Sequence, residues 1–144
     1  MNNQIMEVQM KPKFPSPEWL NALYEKLNND EKYSLIAAKW EGDMTIVVEP
    51  GGELKEPLYY YLDLWHGKCR KVAILKSQDE EKPAFILTSN FDNISQIMSG
   101  KLDPMQAMLT RKLKVQGSMA VIMRSVPTVL DFVRCAREVS DENS

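Results

Sequence analysis

A nucleophile and a base lie three positions apart in this chain. His66 is the single histidine, and Cys69 follows it. A Cys–His pair can perform covalent catalysis when the imidazole activates the thiol, but only if the fold brings the two side chains together. The sequence Trp65-His66-Gly67 is more typical of a turn with a solvated histidine. The pattern therefore favours a turn over a catalytic pair.

Metal and phosphate chemistry have little support in the residue pattern. One histidine and two separated cysteines, Cys69 and Cys135, lack the CxxC or HxxxH spacing of a zinc site. The run Asp79-Glu80-Glu81 is typical of a solvated loop. Pro50-Gly51-Gly52 lacks the lysine and the following helix that bind phosphate, and no GxGxxG or GxxxxGK[ST] occurs. We predict no catalytic residue, no metal and no cofactor, and hence a protein that is not an enzyme.

The composition is that of an ordinary globular domain. The chain has 144 residues, of which 44% are hydrophobic and 26% charged. Its formal net charge of −2 argues against a nucleic-acid partner, because such proteins carry a basic excess. Residues 101–124 nevertheless hold five basic side chains and one acidic one. This local excess predicts a solvated surface or, alternatively, contact with an anionic membrane surface or a phosphate.

Cysteine usage and the first residues indicate the compartment. Two cysteines cannot form a disulfide framework, which fits a reducing environment. The start, MNNQIMEVQMK, has neither the cationic region nor the apolar core of a secretory leader. We expect a cytoplasmic protein.

Hydrophobic periodicity predicts an α+β domain. Helical patterns precede four strand-like segments between 44 and 89, and helical patterns return after Asn90 around a short strand at 113–116. The short links suggest that the first four strands form an antiparallel meander. We predict a five-stranded, mostly antiparallel sheet with helices on one face. Residues 1–15 are expected to be a flexible arm, 16–140 a single domain, and 141–144 a polar tail.

Methionines concentrate on the helical apolar faces of the C-terminal half. Five of the nine lie there, namely Met98, Met105, Met108, Met119 and Met123. Flexible thioethers fill irregular core gaps, or they line a pocket that accepts variable apolar shapes. Periodicity by itself favours the core.

The order of motifs resembles the sterol carrier protein 2 (SCP-2) family. WLNALYEKLNNDEKYSLIAAKWEGDMTIVVE, from Trp19 to Glu49, is similar to the leading helices, Trp-x-Gly junction and first strand of that family. FILTSNFDNISQIMSGKLDPMQAMLTRKLKVQGSMAVIMRSVPTVLDFV, from Phe85 to Val133, resembles its strand, short helix, Gly-Lys, methionine-rich helix and closing helix. The likeness covers about residues 17–138. The domain length and polar start resemble stand-alone prokaryotic members, whereas the peroxisomal import signal of other members is absent from the printed end, DENS.

The resemblance implies an apolar tunnel between the sheet and the helices. Its function would be the non-catalytic binding and carriage of a sterol, fatty acid, acyl-CoA or phospholipid. The ligand-binding residues would lie on the fourth strand and the C-terminal helices: Phe85, Leu87, Ile94, Ile97, Met98, Met105, Met108, Leu109, Met119, Ile122, Met123 and Leu130.

Two questions about partners stay open at this point. The alternative function is a protein-interaction or regulatory module whose methionine face packs on a partner without a free lipid. Tyr59, Tyr61 and Trp65 share one face of the second strand and could form a homodimer contact, although helices covering that face would bury them equally well.

Overall fold

The computed structural model describes residues 11–140. The predicted polar tail, 141–144, and residues 1–10 of the predicted arm lie outside that range. The end of the predicted arm packs against the domain, since Phe14 is 5% exposed and its ring lies edge-on to Trp19 at a centroid distance of 4.8 Å. An aromatic ring next to two prolines thus joins the core, a contact that local polarity does not reveal.

Most of the six α-helices in the described range begin where the sequence supplies caps. In five of them the N-cap side chain accepts a hydrogen bond from the backbone amide three positions later. These N-cap residues are Ser16, Asp30, Asn90, Asp103 and Ser118. The helices are α1 (Pro17–Asn29), α2 (Glu31–Ile36), α3 (Phe91–Met98), α4 (Pro104–Leu109), α5 (Met119–Arg124) and α6 (Val126–Glu138).

Pro127 separates the last two helices. A proline cannot donate the amide hydrogen bond that a continuous helix needs, but it is accepted in a first turn. Accordingly, α5 ends at Arg124, Ser125 leaves the helical conformation, and α6 restarts with Pro127 in its first turn.

The five strands within residues 11–140 form one mixed sheet. They are β1 (Met44–Glu49), β2 (Leu58–Trp65), β3 (Lys68–Leu75), β4 (Phe85–Asn90) and β5 (Lys114–Gln116), arranged in the order β3-β2-β1-β4-β5. Three of the four pairings are antiparallel, and β1 pairs with β4 in parallel. The fold class is therefore the predicted one, an α+β domain with a mostly antiparallel sheet.

The predicted meander of the first four strands is wrong. β1, β2 and β3 do follow one another as antiparallel neighbours, but β4 crosses back to the free edge of β1, where Met44 pairs with Phe85. A short link between two strands limits how far apart they can lie. It does not determine which edge of the sheet the second strand joins. The crossover brings the apolar side chains of β1 and β4 side by side.

The main core lies on one face of the sheet. Tyr60, Leu62 and Leu64 of β2 point to this face and share a cluster with Trp19 and Leu23 of α1. Alternate residues of the strands thus meet the apolar stripe of the helices, as the period-two and period-3.6 patterns require.

The opposite face carries the aromatic residues that were expected to meet helices or a second copy. Tyr61 is buried, but it lies outside the main core cluster, and the Lys71 ammonium stands 5.4 Å from its ring centroid. Trp65 is 38% exposed beneath the guanidinium of Arg70. Side chains of the sheet itself therefore cover much of this face.

Candidate functional site

An apolar cavity of about 90 Å³ lies between the sheet and the helices. Its floor consists of inward residues from three adjacent strands: Met44, Ile46, Leu64, Phe85 and Leu87. Phe85 and Leu87 join this floor because β4 pairs with β1 in parallel. The mixed topology thus assembles the floor.

The remaining walls come from the helices and the segments that join them. They are formed by Tyr33, Trp40, Ile94, Ile97, Met98, Pro104, Met108, Leu113, Ile122, Thr128, Val129, Phe132 and Val133. No charged side chain is among the described residues that line the cavity. Thr128, one of the few polar ones, directs its hydroxyl to the carbonyl of Ile36 at 3.3 Å. The cavity is therefore suited to hydrocarbon.

Seven of the twelve residues expected to bind ligand line this cavity. They come from β4 and from α3, α4 and α5, and they are Phe85, Leu87, Ile94, Ile97, Met98, Met108 and Ile122. One of them, Phe85, is held by its neighbours: its ring lies 5.4 Å from that of Trp40, and a Cβ on Gly117 would come within 2.6 Å of it.

The other five lie elsewhere on the same helices. Met105 is partly buried and packs against the core. Leu109, Met119, Met123 and Leu130 are exposed. Leu109, Met123 and Leu130 each directly follow a cavity residue, so the helix turns them about 100° away from it. Met119 lies one turn before Ile122 and is exposed at the first position of α5. As ligand contacts, all twelve stay predictions.

Eleven lining residues were not expected. β1 and β2 supply Met44, Ile46 and Leu64, whose alternation in the sequence marks an inward face. In α6, Val129 and Val133 continue the helical spacing that the sequence also shows. Tyr33 lies on α2, which packs on α6, and Trp40 follows α2 with its ring 5.4 Å from that of Phe85. Both contacts join segments that are distant in the sequence, so no local pattern indicates them.

A second depression, of about 340 Å³, shares no lining residue with the first cavity. Phe14, Leu54, Leu58, Ile74 and Phe91 form its apolar part. An exposed ion pair, Lys13 Nζ to Glu53 Oε2 at 3.3 Å, stands at its rim. This depression is larger than the first cavity. Residues 13–17 border it, and they follow closely on residues 1–10, which lie outside the described range.

The residues with catalytic potential are not assembled into a site. His66 is half-exposed, and its Nε2 lies 2.7 Å from Glu41 Oε2, whereas Cys69 is buried and its thiol points to the carbonyl of Lys71. Burial raises the pKa of the Cys69 thiol to about 11, so the nucleophilic thiolate is scarce at neutral pH. The turn predicted at His66 is present, with a φ of 50° at that residue.

A cluster of possible metal ligands already contains a cation. Oxygen atoms of Asp30 and Asp131 and the sulfur of Cys135 lie within 4.8 Å of one another. The Arg134 guanidinium donates to Asp30 at 2.6 Å and to Asp131 at 2.8 Å. Burial raises the pKa of the Cys135 thiol to about 11. The guanidinium thus balances both carboxylates, and the cluster joins α2 to α6.

Comparisons with known proteins give a consistent picture. The family model of the SCP-2 sterol transfer family matches residues 20–129. A crystal structure of sterol carrier protein 2 is 27% identical, with a TM-score of 0.79 over 89% of this chain and 100% of the other. A protein from Thermus thermophilus for which a sterol-carrier role has been suggested is 25% identical, with a TM-score of 0.80 over 93% of this chain and 96% of its own.

The fold also occurs inside a larger protein. It matches 16% of the length of the inverting sec-alkylsulfatase Pisa1 from a Pseudomonas species, over 86% of this chain, at 16% identity and a TM-score of 0.54. At that identity the likeness concerns the fold alone.

A search of curated proteins finds no match. No helix among residues 11–140 is long and apolar enough to span a bilayer. On the family match over most of its length, the chain belongs to the SCP-2 sterol transfer family.

Proposed function

We propose that this protein binds an amphiphilic lipid in the cavity between the sheet and α3–α6 and carries it without changing it chemically. The observation behind this proposal is an internal cavity whose lining among the described residues includes no charged side chain. Lipid binding is also what family membership suggests. The ligand classes that fit are a sterol, a fatty acid, an acyl-CoA and a phospholipid.

Hydrocarbon burial supplies enough free energy for useful affinity. Sixteen methylenes at roughly 0.8 kcal/mol each give a transfer term on the order of 13 kcal/mol. Losses of translational freedom and chain entropy remove a large part of it. A dissociation constant in the micromolar range is the expected result, which corresponds to about 8 kcal/mol.

The charged part of the ligand stays outside the cavity. A carboxylate or phosphate placed among apolar side chains would lose its hydration without gaining a counterion, which costs several kcal/mol. The lining residues within 11–140 supply no cation. We therefore place the acyl chain or sterol rings inside and the headgroup at the surface.

Binding requires the cavity to enlarge. Its volume of about 90 Å³ is below the roughly 300–1,000 Å³ of sites that enclose a drug-sized ligand. The wall most easily displaced is α5, a helix of six residues whose single buried side chain is Ile122. We infer that an entering lipid takes the place of Ile122 and moves α5 outward.

Uptake of a fluorescent fatty acid from solution tests the proposal. Ile122→Trp fills the cavity and should reduce uptake by at least about tenfold, since the indole occupies the space the acyl chain needs. Ala120→Trp is the matched control, because it adds the same side chain at an exposed position of α5 that neither lines the cavity nor belongs to the predicted ligand contacts. Circular dichroism verifies that both variants fold.

Native mass spectrometry with lipid extraction complements that assay. A bound amphiphile in the purified protein supports carriage. The absence of both a bound amphiphile and uptake by the wild type would contradict it and favour an interaction module.

The buried, unpaired thiols of Cys69 and Cys135 fit action in the cytoplasm, which we include in the proposal.

A further inference from the structure

Four large apolar side chains are exposed on the outer side of the cavity wall. Leu109, Met119, Met123 and Leu130 are 65%, 36%, 49% and 42% exposed. They lie on α4, α5 and α6, the helices whose inner sides contribute Met108, Ile122 and Val129 to the cavity. These helices are therefore apolar on both sides, which is unusual for a surface that faces only water.

Three cations stand beside these apolar side chains. Arg111 and Lys112 follow α4 directly, and Arg124 is the last residue of α5; all three are exposed. None of them forms an ion pair with another residue between 11 and 140. The turn that carries Arg111 and Lys112 is anchored, because the Ser89 hydroxyl on β4 donates to the Lys112 carbonyl.

The two acidic residues that flank this surface in the sequence, Asp131 and Asp103, are directed elsewhere. Asp131, next to Leu130, is buried and accepts a hydrogen bond from the Arg134 guanidinium at 2.8 Å. Asp103 lies at the opposite end of α4 from Leu109, where its carboxylate accepts the amide proton of Gln106 at 2.9 Å. The surface is thus locally cationic in a protein whose net charge is −2.

We propose that this outer surface, formed by Leu109, Met119, Met123 and Leu130 with Arg111, Lys112 and Arg124, docks on a lipid bilayer that contains anionic headgroups. The apolar side chains would enter the headgroup boundary, and the cations would pair with lipid phosphates. The inference rests on the proposed function in one respect: a docked α5 is the wall through which a lipid reaches the cavity.

The side-chain chemistry favours a bilayer over a protein partner. Protein interfaces are enriched in Met, Arg and aromatic residues and depleted in lysine, so the two methionines and two arginines fit either kind of partner. The features that favour anionic headgroups are the lack of an aromatic or acidic side chain among the seven residues, the presence of Lys112, and three cations without an ion-pair partner in the described part of the chain. Flexible apolar side chains flanked by Lys and Arg are typical of peripheral membrane binding. Each cation near an anionic membrane surface strengthens binding about fivefold.

Vesicle binding by the full-length protein tests the proposal. We expect co-sedimentation with vesicles of equimolar phosphatidylcholine and phosphatidylglycerol, little with phosphatidylcholine alone, and weakening as salt is added. Arg111→Gln combined with Lys112→Gln should weaken binding about 25-fold. Met119→Gln combined with Met123→Gln should weaken it at least about tenfold, since two apolar side chains no longer enter the boundary.

Matched controls lie on other elements, namely on β3 and on the loops before β2 and after β3. Ile74 is 54% exposed on the edge strand β3, so Ile74→Gln removes a comparable apolar side chain. Lys55→Gln combined with Lys76→Gln removes two exposed cations. Both controls should bind the mixed vesicles like the wild type.

Uptake from solution separates this inference from the proposed function. The variant with Arg111→Gln and Lys112→Gln should still take up monomeric fatty acid, because neither residue lines the cavity or belongs to the predicted ligand contacts. Normal uptake without vesicle binding, or variants that bind like the wild type, would overturn the docking proposal alone. The docking proposal would also be overturned if the wild type were a dimer and the Met119 and Met123 substitutions converted it to a monomer. That result would mean that a second copy of the chain covers this surface. Absence of uptake in the wild type would instead contradict lipid carriage.

Discussion

Arg134 on α6 donates a hydrogen bond of 2.6 Å to Asp30, a residue 104 positions earlier in the chain. Asp30 is also the N-cap of α2. The same guanidinium holds Asp131, and Lys26 on α1 reaches the other oxygen of Asp30 at 3.0 Å. The carboxylate of Asp30 therefore joins α1, α2 and α6.

Asp30→Asn should destabilise the protein by about 1–2 kcal/mol, because the asparagine keeps the N-cap but loses the charge that Arg134 needs. The Arg134 guanidinium holds the pKa of Asp30 well below its usual range. A lowered carboxyl pKa stabilises the fold above the ordinary value near 4, and this contribution disappears as the pH falls through the lowered pKa. The difference between wild type and variant in urea unfolding should thus be full at neutral pH and shrink in strong acid. A difference independent of pH would contradict the ion-pair explanation.

Gly117→Ala should destabilise the fold near the cavity floor by more than about 1 kcal/mol. Gly117 has a φ of 128°, and a Cβ there would lie 2.5 Å from the Ala84 carbonyl oxygen and 2.6 Å from the Phe85 ring. Gly100→Ala is the control for backbone conformation, since Gly100 also has a positive φ but no atom within 4 Å of the added carbon. Chemical denaturation should show the larger loss for Gly117→Ala. Equal losses would mean that the close approach to Phe85 carries no energy.

Ser140→Ala should cost about 1–2 kcal/mol, because the buried Trp19 indole would lose its acceptor. The Trp19 Nε1 donates to Ser140 Oγ at 2.7 Å and connects α1 to the end of the domain. The exposed Ser99 hydroxyl, which points to the Gln96 carbonyl, provides the control through Ser99→Ala. Thermal unfolding measures both. An unchanged melting temperature in Ser140→Ala would show that this hydrogen bond contributes little.

Both thiols should react slowly with a thiol reagent at mildly alkaline pH until the protein unfolds. Burial raises the pKa of Cys69 and of Cys135 to about 11, so few thiolates exist in the folded state and access is blocked. Denaturant should release two rapidly reacting thiols per chain. Single Cys→Ser variants assign each rate, and rapid reaction of Cys69 in the native protein would reopen the interpretation of a nucleophile beside His66.

Periodicity and caps predicted most elements because they act locally. Caps at Ser16, Asp30 and Asp103 lie directly before α1, α2 and α4, and the residues from Leu58 to Leu64 alternate between the two faces of β2. By contrast, the place of β4 depends on which sheet edge is free after three strands have paired. No residue of β4 encodes that choice locally.

The candidate site divides in the same way. Periodicity and the family resemblance together brought Phe85, Leu87, Ile94, Ile97, Met98, Met108 and Ile122 into the expected set, and all seven line the cavity. They also brought in Met119 and Met123, which are exposed, because a short helix with a wide apolar stripe does not reveal which side turns inward.

The sequence by itself determined the element types, the α+β class and the family resemblance, since these depend on spacing, caps and motif order along the chain. Tertiary structure decided the parallel pairing of β1 with β4, the entry of Tyr33 and Trp40 into the cavity wall, and the exposure of Leu109, Met119, Met123 and Leu130. The physical reason is that burial is a property of two surfaces in contact. An apolar side chain specifies that it prefers to leave water, whereas only its partner in the fold specifies where it can do so.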